Sequence, residues 1–131
     1  MVEMRRPKNY AVWIPVALVA LYVGAGGAAK LAGVPYVHSS FPKLGLPEWF
    51  GYFIGLCEVS GSFALFIRPL RALAAAGIGA IMVGATYYHA VYTPIIQAAP
   101  AFILTVLSVF ILFKERSEFL NFTTRRSIAG Q

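Results

Sequence analysis

Long apolar runs alternate along this chain with short clusters of charge, and that alternation sets the expected architecture. A helix needs roughly 20 mostly apolar residues to cross the ~30 Å hydrocarbon layer of a bilayer. Four stretches qualify, at about residues 10–29, 49–67, 72–92 and 95–113. They predict an all-α fold: an integral membrane four-helix bundle forming one domain over residues 1–131, with residues 114–131 as a tail.

The polar breaks between runs say how the spans are joined. "RPLR" between the second and third spans and "TP" between the third and fourth are too short for anything but antiparallel neighbours. Only the first connection, Gly33 to Pro47, is long enough for a small lid on one face. Its "VPYVHSSFPKLGLP" carries three prolines and Gly45, which predict an irregular loop. Pro47 suits the first turn of the next helix, where its missing N–H has no partner in any case. Glu48 beside it favours the positive end of the helix dipole.

Composition agrees with a lipid solvent. The chain is 59% hydrophobic, against about 45–50% for a soluble domain, and its mean hydropathy is +0.71. The formal net charge of +6 does not indicate a nucleic-acid partner, because the basic residues flank the apolar runs instead of forming one stripe. Arg5, Arg6, Lys8, Arg68, Arg71, Lys114, Arg116, Arg125 and Arg126 fall on the side of the termini, and only Lys30 and Lys43 fall on the other. Positively charged short loops stay in the cytoplasm, so both termini are expected there, as an even number of spans requires. The basic leader and the small residues of "GAGGAAK" also resemble a secretory signal. The first run, however, is longer than the ~7–15 residues of a signal core, so an uncleaved anchor is expected.

Several chemistries are excluded. Cys57 is the single cysteine, so neither an intrachain disulfide nor a C-x-x-C redox pair forms. There is no phosphate-binding glycine loop ahead of a helix and no nucleophile elbow. "GAGGAA" lies inside an apolar span without a preceding strand, which removes a dinucleotide turn. No catalytic residue and no metal site is expected.

Against this background one residue stands out. Glu58 lies ten residues after Glu48 and ten before Arg68, about 15 Å from either end of its span at 1.5 Å per residue. An acid at that depth opposes insertion by about 2.5–3.5 kcal/mol, which the flanking phenylalanines and aliphatics outweigh, so Glu58 should face the interior. Gly51, Gly55, Glu58 and Ser62 follow a four, three, four spacing and share one helical face. Small residues there let a second backbone approach closely; Ala76, Ala80 and Gly84 of the third span offer a matching surface. Glu58 is then either a hydrogen-bonding strut between helices or a proton site and polar anchor for a ligand, and the residues leave both open. Apolar surroundings favour its neutral form unless a cation lies close.

Lys30 is the obvious cation, but it sits at the outer end of the first span, and the expectation is that it snorkels to the interface. The ~15 Å depth gap makes contact with Glu58 require a tilt, a kink or a bridging molecule. His89 lies near the outer end of the third span, with Met82 and Thr86 on the same side. Tyr87, Tyr88 and Tyr92 around it suggest an interfacial aromatic belt; the sharper alternative is an outer-leaflet site shared with His38. The tail "KERSEFLNFTTRRSIAGQ" is expected on the cytoplasmic surface, where its Lys and Arg attract anionic lipid.

The succession "AAKLAG", "LGLPEWFGYFIGLCEVSGSFALF", "RPLRALAAAG" and "MVGATYYH" resembles DoxX-like membrane proteins over about three quarters of the chain. The resemblance implies a compact four-helix protein of the bacterial cytoplasmic (inner) membrane. Some relatives serve as membrane partners of redox enzymes, one a subunit of a thiosulfate:quinone oxidoreductase, and others resemble receptor-assembly chaperones. It implies recurrent polar positions at Lys30, Glu58 and His89, and by itself confers no reaction.

Three functions compete. The first is an accessory subunit with an inter-helix pocket for a quinone-like or lipid-like molecule, the pocket candidates being Lys30, Glu58, Ser62, Thr86 and His89, serving a redox partner. The second is a purely structural or chaperone subunit that packs against another membrane protein or a second copy of itself. The third is a small proton-coupled transporter using Glu58.

Overall fold

The computed structural model describes residues 10–130, apart from the side chains of Tyr10, Glu118 and Phe122. The basic leader with Arg5, Arg6 and Lys8 lies outside the described residues. Among the described residues the fold is all-helical, without strands. Helix α1 runs over Tyr10–Leu31, α2 over Pro35–His38, α3 over Ser40–Lys43, α4 over Glu48–Ala64, α5 over Arg71–Tyr92 and α6 over Ala98–Ala129. Turns of 3-10 helix at Arg68–Leu70 and Ile95–Gln97 precede α5 and α6.

Among the described residues three segments are long and apolar enough to cross a membrane, Ala11–Leu31, Arg68–Tyr92 and Ile95–Ala129. The second expected span is not among them. Helix α4 has 17 residues, about 25 Å of rise against a hydrocarbon layer of ~30 Å. It stops at Ala64 instead of continuing to Ile67, and Pro69 gives the reason. An unbroken helix would carry a bond from residue 69 to the Leu65 carbonyl, and proline has no N–H to donate. The chain tightens through Phe66 N–H to Phe63 O and Ile67 N–H to Ala64 O. The Leu65 carbonyl accepts instead from Arg71 Nε at 2.6 Å.

The four long helices touch in a cycle, α1 to α4, α4 to α5, α5 to α6 and α6 back to α1, with α5–α6 and α1–α4 the broadest contacts. The inward face of α1 is the stripe Val12, Val16, Val19 and Val23, all buried, at the four, three, four spacing of one helical face. It packs with Leu65, Ile78, Met82, Leu104 and Ile111 from the other helices.

Polarity is inverted relative to a water-soluble domain. Large apolar side chains face outward, among them Leu21 at 73% and Phe63 at 72% exposure. The charged and hydroxylic groups Glu58, Ser62, Arg71, Ser108 and Glu115 are buried. In hydrocarbon, outward leucine and phenylalanine lose nothing, and the buried charges Glu58, Arg71 and Glu115 are each held in an ion pair. The chain is a membrane protein by this criterion.

The first connection is more regular than an irregular loop. Pro35 starts α2 and Pro42 lies within α3, positions in a first turn where a missing N–H is harmless. Gly33 (φ 78°) and Gly45 (φ 75°) bracket the two short helices, and this left-handed backbone is one that glycine adopts without strain. Pro47 is the N-cap of α4, one residue before the first turn, and Glu48 opens that turn. At the other end α6 continues unbroken through the expected tail for 32 residues in all, about 48 Å and well beyond the hydrocarbon thickness.

Candidate functional site

The site is built on the crossing of α1 and α4. A Cβ added to Gly27 would lie 2.8 Å from the Glu58 Cβ and 2.8 Å from the Gly55 carbonyl oxygen. One added to Gly55 would lie 2.8 Å from the Lys30 Cβ and 2.9 Å from the Gly27 oxygen. The two backbones are therefore in contact, which small residues alone permit. Gly55→Val is expected to destabilise the protein by about 1–3 kcal/mol through overpacking of this crossing, read as a lower unfolding midpoint in detergent. An unchanged midpoint would mean that α1 and α4 separate without loss.

This contact corrects the expectation for Lys30. Its ammonium does not snorkel outward; Nζ donates to Glu58 Oε2 at 2.9 Å, with side-chain exposures of 16% and 3%. The ~15 Å gap assumed that α1 and α4 end at one level. In fact Lys30 stands beside Gly55, only three residues, about 4.5 Å of rise, from Glu58. Helix α4 extends past the end of α1, and the lid spans that step.

His38 fastens the lid. Its Nε2 bonds the Lys30 carbonyl at 2.7 Å, so Nε2 carries the proton. The ring fills the notch left by Gly51, where a Cβ would come within 2.6 Å of His38 Cε1, and it packs on Tyr52 with centroids 4.6 Å apart. His38 is thereby committed to the lid and is not shared with His89. No group of three or more His, Cys, Asp or Glu able to hold a metal forms among the described residues.

Helices α4 and α5 touch where a Cβ on Gly61 would meet Ile78 Cγ1 at 3.1 Å. Toward the lid a cavity of about 690 Å³ lies between them, reaching Lys30 and Glu58. Phe50 and Ile54 of α4, Ile81 of α5, and Phe41 and Leu44 of the lid supply apolar walls. His89, Tyr88 and Lys43 add polar groups. Thr93 Oγ1 donates to the His89 carbonyl at 2.8 Å and contacts His89 Nδ1 at 3.1 Å.

Of the five expected pocket residues, Lys30, Glu58 and His89 line this cavity. The other two do not. Ser62 is buried one turn deeper, its Oγ 3.3 Å from where a Gly24 Cβ would stand and without a hydrogen-bond partner. Thr86 returns its hydroxyl to the Met82 carbonyl at 2.7 Å. The expected packing surfaces also part company: Gly51 and Gly55 face the lid and α1, whereas Ala76 is exposed and Ala80 and Gly84 line the cavity. A Cβ at Gly84 would meet nothing within 4 Å. Lys30, running between α1 and Glu58, binds α4 to α1 and leaves the small face of α5 open.

A second polar centre escapes sequence reading. Arg71, expected among the loop cations, is 4% exposed. Its NH1 lies 3.4 Å from Glu115 Oε1, and its guanidinium sits 4.7 Å from the Trp13 ring centroid. With the bond to Leu65 O it joins α1, α4, α5 and α6. Arg71 and Glu115 are 44 residues apart with no local pattern linking them, so no signal in the sequence pairs them.

No curated protein and no solved structure matches the chain. The model of the DoxX-like family matches residues 14–111, a span that holds α4, α5, the lid and the polar positions of the cavity, and the chain therefore belongs to the DoxX-like family.

Proposed function

We propose that the chain is an accessory, non-catalytic subunit of the bacterial cytoplasmic membrane, crossing it four times with both termini inside. Helix α4 and its following turn complete the second crossing, and the lid covers the outer face. The cavity holds one quinone-like or lipid-like molecule on behalf of a redox partner. One observation carries the reading: a cavity of about 690 Å³, mostly apolar, into which Lys30, Glu58 and His89 converge. That combination of greasy walls and few polar anchors is typical of small-molecule sites, which run about 300–1,000 Å³.

The test is purification of the full chain in mild detergent followed by native mass spectrometry. One quinone or lipid molecule retained per chain is expected, lost in Ala80→Trp, which fills the cavity, while helicity and unfolding midpoint are kept. A chain that retains nothing, with Ala80→Trp indistinguishable from the parent, would sink the proposal.

A structural or chaperone role is the second reading, and the Gly27–Gly55 crossing with its ion pair favours it, because those residues already have a packing task. Under that reading Ala80→Trp leaves assembly with partner membrane proteins intact. Proton-coupled exchange has no such support, since Lys30 occupies the position beside Glu58 that a cationic substrate would need.

A further inference from the structure

The cavity proposed above leaves its occupant open between a neutral and a charged head group, and the lining residues discriminate. We infer that it takes an anionic amphiphile, an apolar chain ending in a phosphate or carboxylate. This rests on the cavity reading and goes beyond it.

The first observation concerns charge. Of the eleven Lys and Arg residues, the expected topology leaves only Lys30 and Lys43 on the lid side, where cations run against the usual loop bias. Both line this cavity. Glu58 is the single acid lining it, and Lys30 already neutralises that carboxylate at 2.9 Å. Lys43 has no ion pair among the described residues. The lining thus carries one net positive charge from two ammonium groups and one carboxylate.

The second observation concerns hydrogen bonds. An ammonium has three donors, and Lys30 spends one on Glu58. The Tyr88 hydroxyl, which also lines the cavity, makes no hydrogen bond among the described residues. The free donors of Lys30, Lys43 and Tyr88 suit a head group rich in acceptor oxygens. Charge-assisted bonds to such oxygens are roughly twice as strong as neutral ones. A neutral quinone would satisfy donors near its carbonyls but would give Lys43 no charge to meet.

The third observation concerns the chain of the occupant. Ile54, Ile81, Leu44 and Phe50 wall the cavity, and Ala80 and Gly84 leave the backbone of α5 uncovered along it. An acyl chain can lie against that groove while its head group meets Lys43 and the free donors of Lys30.

The experiment uses the full chain, delipidated in a nonionic detergent. It is titrated with phosphatidylglycerol, with phosphatidylcholine of the same acyl chains, with a neutral ubiquinone analogue and with inorganic phosphate, each read by native mass spectrometry. Phosphatidylglycerol is expected to bind one per chain at least ~10-fold more tightly than phosphatidylcholine, a difference of about 1.4 kcal/mol. Lys43→Gln, an exposed substitution, should reduce that preference several-fold, and Ala80→Trp should abolish the one-to-one species while leaving looser lipid adducts of the basic tail. Equal binding of the two phospholipids, or a preference unchanged in Lys43→Gln, would overturn the anionic assignment. Displacement of the lipid by millimolar phosphate alone would overturn the amphiphile and make this a free-anion site. Preferential quinone binding that Ala80→Trp removes would refute the head group but leave the cavity reading standing. Retention of none of the four probes would remove the cavity reading itself.

Discussion

Replacing Glu58 by leucine is expected to lower the stability of the protein by about 3–5 kcal/mol, because breaking a buried pair leaves its other charge unsatisfied. The charge in question is the Lys30 ammonium, whose side chain is 16% exposed and whose hydrogen-bond partner is Glu58 Oε2. Lys30→Met combined with Glu58→Leu should recover most of the loss, since an apolar pair of similar volume often replaces a buried ion pair without penalty. Unfolding midpoints of the parent, both single variants and the double variant in one detergent give the coupling directly. A loss below about 1 kcal/mol for Glu58→Leu would mean that Lys30 swings out to the interface when released, and that the pair is no more than a surface contact.

Arg71→Met should be comparably damaging, although Arg71 sits beside a loop and belongs to no expected site. Three interactions go together: the 2.6 Å bond to the Leu65 carbonyl, the ion pair with Glu115 and the stacking on Trp13. Buried Glu115 is then left without its cation, again an effect of about 3–5 kcal/mol, and the carbonyl that Pro69 cannot serve is orphaned. The disturbance should appear first at the α4–α5 connection, where amide exchange of residues 65–70 is expected to rise before that of the α5–α6 contact. Glu115→Gln keeps an acceptor for the guanidinium and should be milder. If Arg71→Met unfolds at the parent's midpoint with unchanged exchange in that connection, the residue is only a topology signal and not a clamp.

The contrast between these two centres shows what a single sequence reveals. Glu58 is conspicuous because it interrupts an apolar run, and the four, three, four spacing of Gly51, Gly55, Glu58 and Ser62 fixes a common face from local geometry alone. All four are buried. What that face packs against is a different matter. The small residues of α5 were the natural partner by composition, yet α1 and the lid took the place through Gly27, Lys30 and His38. Arg71 gave no warning: a cation beside an apolar run looks the same in sequence whether it points to cytoplasm or turns back under the helices.

The sequence by itself determined the helical membrane architecture, the inward direction of Glu58 and the family. Each follows from hydropathy, spacing or motif, which are properties of neighbouring residues. The tertiary structure alone decided how far each helix runs, which helix meets which, that Lys30 reaches Glu58, and that Ala80 and Gly84 border a cavity instead of a contact. In an apolar solvent the hydrophobic effect does not sort one greasy face from another. Relative depth and partner choice then rest on a few close backbone approaches and buried polar pairs between residues far apart in the chain, and no local pattern records those.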